Sequence, residues 1–194
     1  QDVSASDHQP VFRFAPSPNG ALHLGHAFSA IVAHDLAREA GGRFLLRIED
    51  IDGPRSRPEL VDEFRRDLEW LGLEWEEVPA QSTRLATYEE AAHDLLERGY
   101  LYPCTCTRAE IEALEPRLGS QGAIYPGTCR KMPPQEERRL TVRLKTDQAS
   151  IKFSDRFVGQ VCQNLAFDVG DYVIRRSDGF AAYQLAVVVD DHLD

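Results

Sequence analysis

The stretch from Val11 to Ile48 limits what this chain can fold into more than any other part of it. Val11 to Ala15 is a short apolar run broken by Arg13, and it enters the turn Pro16-Ser17-Pro18-Asn19-Gly20, whose residue types punctuate regular structure. From Gly25 onward, Phe28, Ile31, Val32 and Leu36 recur at helical spacing until Gly41 and Gly42 end the pattern. Phe44 to Ile48 is a second apolar run, closed by Glu49-Asp50-Ile51-Asp52. The predicted order is strand, helix, strand, the βαβ unit of a nucleotide-binding sheet.

Further along, Ser56-Arg57-Pro58-Glu59 has capping-box spacing ahead of the stripe Leu60, Phe64, Leu68 and Leu71. A second helix is predicted from Thr83 to Arg98, with Leu85, Tyr88, Ala92, Leu95 and Leu96 on its apolar side and Gly99 placed to end it. Between Tyr100 and Pro134 the chain changes character. Three of the cysteines, scattered prolines and glycines, and one short helical stretch around Ala109 to Leu114 mark an insertion. Leu140 to Leu144, Ser150 to Phe153, Tyr172 to Arg175 and Gln184 to Val189 are β-like runs, and Asp178-Gly179 signals a tight turn between the last two. The expected layout is a disordered start over 1–10, the first half of an α/β domain over 11–99, the insertion over 100–134, and the rest of the insertion region with a return to the first domain over 135–194.

At 194 residues and 42% hydrophobic content, the chain can bury one substantial core plus a small accessory module. No run approaches the ~20 apolar residues of a membrane span, and Gln1 to Pro10 lacks the layout of a secretory signal. A soluble, cytoplasmic protein is expected. The net charge of −10 opposes unspecific attraction to nucleic acid, so RNA contact would need a local basic surface. Candidates are Arg130, Lys131, Arg138, Arg139, Arg143 and Lys145, with Arg175 and Arg176 beyond; the alternative is an ordinary solvated charge run.

Two clusters carry chemistry. His23-Leu24-Gly25-His26 places two imidazoles and a glycine where a loop turns into a helix. Amides at a helix N-terminus attract phosphate, and Gly25 lets a nucleotide approach the backbone. His23 and His26 can donate hydrogen bonds to charge building on phosphate oxygens during in-line attack; the alternative is a pair of surface histidines near a turn. In the insertion, Cys104-Thr105-Cys106 and Cys129 supply three thiolates, too few cysteines for a disulfide scaffold but enough to begin a tetrahedral metal site. No histidine lies between Tyr100 and Pro134, so the fourth position falls to Tyr125, Cys162, a carboxylate or water. The alternative is a set of reduced core cysteines.

The stretch Arg13 to His26 resembles the ATP-binding signature of class I aminoacyl-tRNA synthetases in its glutamyl and glutaminyl form. The resemblance continues through Leu46-Arg47-Ile48-Glu49-Asp50-Ile51-Asp52, Gln81-Ser82-Thr83-Arg84 with Tyr88, and Asp178-Gly179 to Val188-Val189-Asp190-Asp191. It implies the first half of a Rossmann-like catalytic domain with a small zinc-binding insertion and an α+β connective region. It also implies ATP with Mg²⁺ bound through His23, Gly25 and His26, the two histidines being catalytic, and L-glutamate bound by Arg13, Ala15, Ser17, Glu49 and Tyr183. Arg13 suits the side-chain carboxylate and Glu49 the α-ammonium group; their mutual pairing, or a core role for Tyr183, is the structural alternative.

Cys104-x-Cys106 with Ile124-Tyr125-Pro126-Gly127-Thr128-Cys129 resembles the shortened, queuosine-modifying branch of that family. On that likeness the structural zinc ligands are Cys104, Cys106, Tyr125 and Cys129, and Cys162 is a buried thiol. The implied reaction activates glutamate without tRNA and transfers it to the queuosine base of tRNA(Asp), in a monomeric enzyme with no membrane partner. A conventional glutamyl-tRNA synthetase fragment and a non-catalytic glutamate- or nucleotide-binding module are the rival readings. The family's lysine-bearing KMSKS loop and a further glutamate-binding arginine have no counterpart before Asp194, and Lys131-Met132-Pro133-Pro134 lies too early to serve. The chain therefore reads as a fragment whose own turnover the sequence does not establish.

Overall fold

A computed structural model of the chain describes residues 9–119, 122–132 and 139–194. The expected disorder over 1–10 thus falls mostly outside the described residues, and so does Arg138. Gln9 Nε2 donates to the Gly41 carbonyl at 2.8 Å.

The chain divides into two compact units, one holding the residues up to Leu85 together with Asp190–Asp194 and the other Ala86–Val189. In the first unit, β1 (Val11–Phe14), α1 (Leu24–Glu39), β2 (Arg43–Leu46), α2 (Glu59–Trp70) and β3 (Glu76–Glu77) build a parallel sheet in the order β1-β2-β3. Arg13 stands beside Leu45 and Phe14 beside Leu46, so the carboxyl ends of β1 and β2 are neighbours. Those ends are where ligands bind in sheets of this type. The core gathers Phe14, Ala30, Phe44, Leu46 and Ile48 with the α2 stripe Leu60, Phe64 and Leu68. Phe64 and Leu68 are 0% exposed, and each such side chain contributes about 1.5–3 kcal/mol by burial. Gly42 has a steric reason to be glycine, because a Cβ there would lie 2.4 Å from the Pro10 carbonyl oxygen.

The second unit contains α3 (Leu85–Glu97) beyond its first residue, β4 (Leu101–Cys104), α4 (Arg108–Ala113), β5 (Leu118–Gly119), β6 (Gly122–Ala123), α5 (Thr128–Lys131), β7 (Thr141–Leu144), β8 (Ser150–Asp155), β9 (Gly159–Asn164), β10 (Val173–Arg175) and most of α6 (Tyr183–Leu193). Its antiparallel sheet runs β10-β7-β4, and β5-β6 and β8-β9 form separate two-stranded ribbons. No helix among the described residues is long and apolar enough to cross a membrane.

Several sequence expectations need correction. Gln184 to Val189 is helical, within α6. The run of valines favours a strand locally, but Ala182, Leu185, Ala186 and Asp190 are buried at helical spacing, and that burial overrides the propensity. Ser56 forms no capping box; its N–H closes a 3₁₀ turn onto Gly53, and Pro58 is the N-cap of α2 without a side-chain bond. Cys162 is exposed on β9 beside Lys152, not buried. Of the candidate basic residues, Arg143 is buried, while Arg130, Arg175 and Arg176 pair with Asp171, Glu89 and Asp178. Lys131 and Arg139 are exposed.

Candidate functional site

The loop between β1 and α1 is held by its backbone. Arg47 N–H donates to Phe14 O, Glu49 N–H to Pro16 O, and Arg57 N–H to Pro18 O, so the segment after β2 runs alongside the proline turn. Asn19 Nδ2 adds a bond to Asp52 Oδ2 at 2.9 Å, and Asp50 accepts from both the N–H and the hydroxyl of Ser82.

His23 is the N-cap of α1. Its Nδ1 accepts from Gly25 N–H at 3.1 Å, while His26 Nδ1 accepts from His23 N–H at 3.2 Å, a reciprocal box built from two imidazoles. With both Nδ1 atoms accepting, the neutral rings carry their protons on Nε2. Burial lowers the pKa of His26, and the nearby His23 lowers it further, which favours that neutral state. The ring centroids are 3.9 Å apart. At the first turn of a 16-residue helix, two Nε2–H donors join the free amides and the positive end of the dipole, an arrangement suited to polyphosphate.

Beside this loop lies an ionic network. Arg47, 0% exposed, reaches Glu49 Oε1 at 3.2 Å, Asp191 Oδ1 at 2.8 Å and Asp194 Oδ2 at 3.0 Å. Arg13 holds Asp191 through two bonds, Nε to Oδ1 at 2.6 Å and Nη2 to Oδ2 at 2.9 Å. Asp190, fully buried, accepts from Gln81 Nε2 at 2.8 Å and Arg84 Nη1 at 3.0 Å. Burial pushes the Glu49 carboxyl up, against the opposing pull of Arg47 and Arg13. Burial also acts on Asp191, but the guanidiniums of Arg13 and Arg47 outweigh it and hold that carboxyl below the usual range.

In the second unit, Cys104 ends β4, Cys106 follows it, and Cys129 is the second residue of α5. Their sulfurs lie within 4.8 Å of one another, with Cys106 and Cys129 at 3.5 Å. Tetrahedral coordination at ordinary zinc–sulfur distances needs sulfurs about 3.8 Å apart, so the three thiols could hold a metal ion. The Tyr125 hydroxyl joins them, 3.4 Å from the Cys104 sulfur and 3.3 Å from that of Cys106, and it accepts from Cys129 N–H at 2.8 Å. Burial pushes the Cys106 thiol up. At Cys129 burial is outweighed by hydrogen bonds from Tyr125, Thr105 and Cys106, which hold that thiol down. The Arg143 guanidinium stacks 3.9 Å over the Tyr125 ring.

The structure thus brings His23, Gly25 and His26 together, places Arg13, Ala15, Ser17 and Glu49 around the carboxyl ends of β1 and β2, and assembles Cys104, Cys106, Tyr125 and Cys129. Tyr183, 59% exposed, belongs to the second unit, where it lines a cavity of about 540 Å³ with Tyr125, Arg143, Asp171 and Tyr172. Arg13 pairs with Asp191 and not with Glu49. Arg47, Arg84, Gln81, Asp190 and Asp194 carry no site role in the sequence reading, although all lie within the segments that bear the resemblance or next to them. Charged residues inside apolar runs were the available signal, since such groups are buried only when paired.

The class I tRNA synthetase (E and Q) catalytic-domain family matches residues 10–194. Among curated proteins, the glutamyl-Q tRNA(Asp) synthetase of Chromobacterium violaceum is 48% identical over 180 residues, covering 92% of this chain and 60% of that protein. The one from Symbiobacterium thermophilum is 45% identical over 201 residues, covering 93% and 62%. The chain therefore spans about three fifths of the length of these relatives. Among solved structures, a glutamate tRNA ligase from Elizabethkingia meningosepticum, in complex with its amino acid, matches with a TM-score of 0.78 at 28% identity, over 95% of this chain and 42% of that one. By sequence and by fold, the chain belongs to the catalytic-domain family of the class I tRNA synthetases for E and Q, in its glutamyl-Q tRNA(Asp) synthetase branch.

Proposed function

We propose that the protein activates L-glutamate with ATP, without tRNA, and transfers it to the queuosine base of tRNA(Asp). The carboxylate of glutamate attacks the α-phosphorus of ATP, the bond to the β-phosphate breaks, and glutamyl-adenylate and pyrophosphate form. A hydroxyl of the acceptor's cyclopentenediol ring then attacks the activated carbonyl; an ester forms and AMP leaves. His23 and His26 donate from Nε2 to the phosphate oxygens as charge moves onto them, and the α1 N-terminus adds its dipole. Mg²⁺ bound with ATP would neutralise charge on its phosphates, while His23 and His26 act as hydrogen-bond donors. Arg13 receives the side-chain carboxylate, Glu49 the α-ammonium group, and Ala15 and Ser17 complete the contacts from the first unit.

The reciprocal histidine cap at the carboxyl end of β1 carries this reading, because it aligns two neutral donors with a helix N-terminus. The likeness to the glutamyl-Q tRNA(Asp) synthetases at 45–48% identity supports the choice of acceptor. Residues 100–134 are read as a structural insertion in which Cys104, Cys106, Tyr125 and Cys129 would hold Zn²⁺; with four protein ligands, that ion would serve structure and not catalysis. Glutamate-dependent ATP–pyrophosphate exchange, run with and without tRNA on a protein of the relatives' full length, tests the reading. Exchange that requires tRNA would indicate a conventional glutamyl-tRNA synthetase, and glutamate binding with no exchange in either case a binding module.

A further inference from the structure

Arg47, like Asp190, is 0% exposed in the first unit, and it has no role in the reaction described so far. Its Nη2 lies 3.2 Å from Glu49 Oε1 and 2.8 Å from Asp191 Oδ1. Asp191 in turn holds Arg13 by two bonds. On the other side Nη1 meets Asp194 at 3.0 Å, while Nε stands 3.7 Å from Asp190 Oδ2 without a hydrogen bond. One guanidinium therefore touches Glu49 directly and reaches Arg13 through a single carboxylate. Burying such a cation is a poor way to gain stability, since a packed apolar side chain of similar volume often does as well. A rigid planar fork instead fixes the directions and spacings of the groups it bonds.

We infer that Arg47 is a positioning residue that sets the separation between Glu49 and Arg13, so that the site measures the length of the amino acid it accepts. The inference rests on the amino-acid contacts proposed above. Glu49 is bonded through Oε1 alone among the described residues, which leaves its other oxygen for an ammonium group. Arg13 spends Nε and Nη2 on Asp191, which leaves Nη1 to donate to a second carboxylate. An ammonium and a carboxylate held by these two groups must span the gap that Arg47 and Asp191 define. Aspartate, shorter by one methylene, would have to leave one partner.

The test uses a protein of the relatives' full length and Arg47→Lys, which keeps the charge but loses the fork. Glutamate-dependent ATP–pyrophosphate exchange should show KM for glutamate raised by about tenfold to a hundredfold, the scale expected of sub-ångström to 1 Å misplacement. KM for ATP should stay unchanged, and the preference for glutamate over L-aspartate should fall by about tenfold or more. Asp191→Asn, which leaves the Arg47–Glu49 contact in place and frees Arg13, should move selectivity in the same direction, and it carries the test if Arg47→Lys fails to fold. A purely structural Arg47 would lower thermal stability and leave selectivity alone. Exchange with unchanged selectivity in a folded variant overturns the inference alone; no glutamate-dependent exchange in the unsubstituted protein overturns the amino-acid reading with it.

Discussion

Gly25→Ala should separate function from stability. A Cβ at position 25 would stand 3.0 Å from Cε1 and 3.2 Å from Nδ1 of His23. Carbon contacts settle at about 3.5–4.0 Å, so the imidazole must retreat by about half an ångström. The bond from residue 25 N–H to Nδ1, already 3.1 Å, stretches or breaks, and losing an N-cap bond costs about 0.5–2 kcal/mol. Against this, alanine gains up to about 1 kcal/mol over glycine in a helix. The two effects nearly cancel, so the unfolding free energy should change by no more than about 1 kcal/mol. Activity should not be spared. His23 Nε2 no longer points where the neighbouring His26 does, and a half-ångström error at a charge-stabilising donor should cost on the order of tenfold in ATP–pyrophosphate exchange. Parallel thermal unfolding and exchange assays read both quantities. Unchanged exchange would refute the role given to the histidine cap, and a large loss of stability would refute the energetic balance.

Three other substitutions probe the remaining parts. Cys104→Ser should release most bound zinc by elemental analysis, and Tyr125→Phe, which keeps the ring under Arg143, should weaken zinc retention against a chelator; undiminished zinc content in both would contradict the ligand set. Burial raises the Glu49 carboxyl in the fold, and only its ionised form binds an ammonium group. Glutamate binding should therefore fade as pH falls through that raised value, at a higher pH than an unperturbed glutamate would give, and Glu49→Gln should remove this contribution to the acid limb. Asp190→Ala strips a fully buried carboxylate from Gln81 and Arg84 and should destabilise the first unit by about 3–5 kcal/mol in urea unfolding; a loss under about 1 kcal/mol would show the network to be more adaptable than its geometry implies.

The sequence was most readable where local chemistry and tertiary role coincide. The alternation from Val11 to Ile48, the proline turn and the spacing of His23 and His26 announce β1, α1 and β2 because each element's own periodicity also faces the core. Cys104, Cys106 and Cys129 were readable as a group because few other residue types gather soft donors so closely. The valine-rich run of α6 was misread, since β-branched residues favour strands in isolation and only the burial of Leu185, Ala186 and Asp190 shows the helix. The Arg47 network was missed for a related reason: its members lie more than a hundred residues apart, at Arg47 and at Asp190, Asp191 and Asp194, and no local spacing links them. The likeness that gives the fourth ligand position to Tyr125 leaves Cys162 as a buried thiol, whereas the two-stranded ribbon β8-β9 leaves it exposed.

Glutamate-dependent ATP–pyrophosphate exchange in the absence of any tRNA, on a protein of the relatives' full length, tests the central claim most directly. The account predicts exchange that requires glutamate and ATP and proceeds without RNA. No exchange until tRNA is added would contradict tRNA-independent activation, and none under either condition would contradict the assignment of a glutamate-activating site altogether.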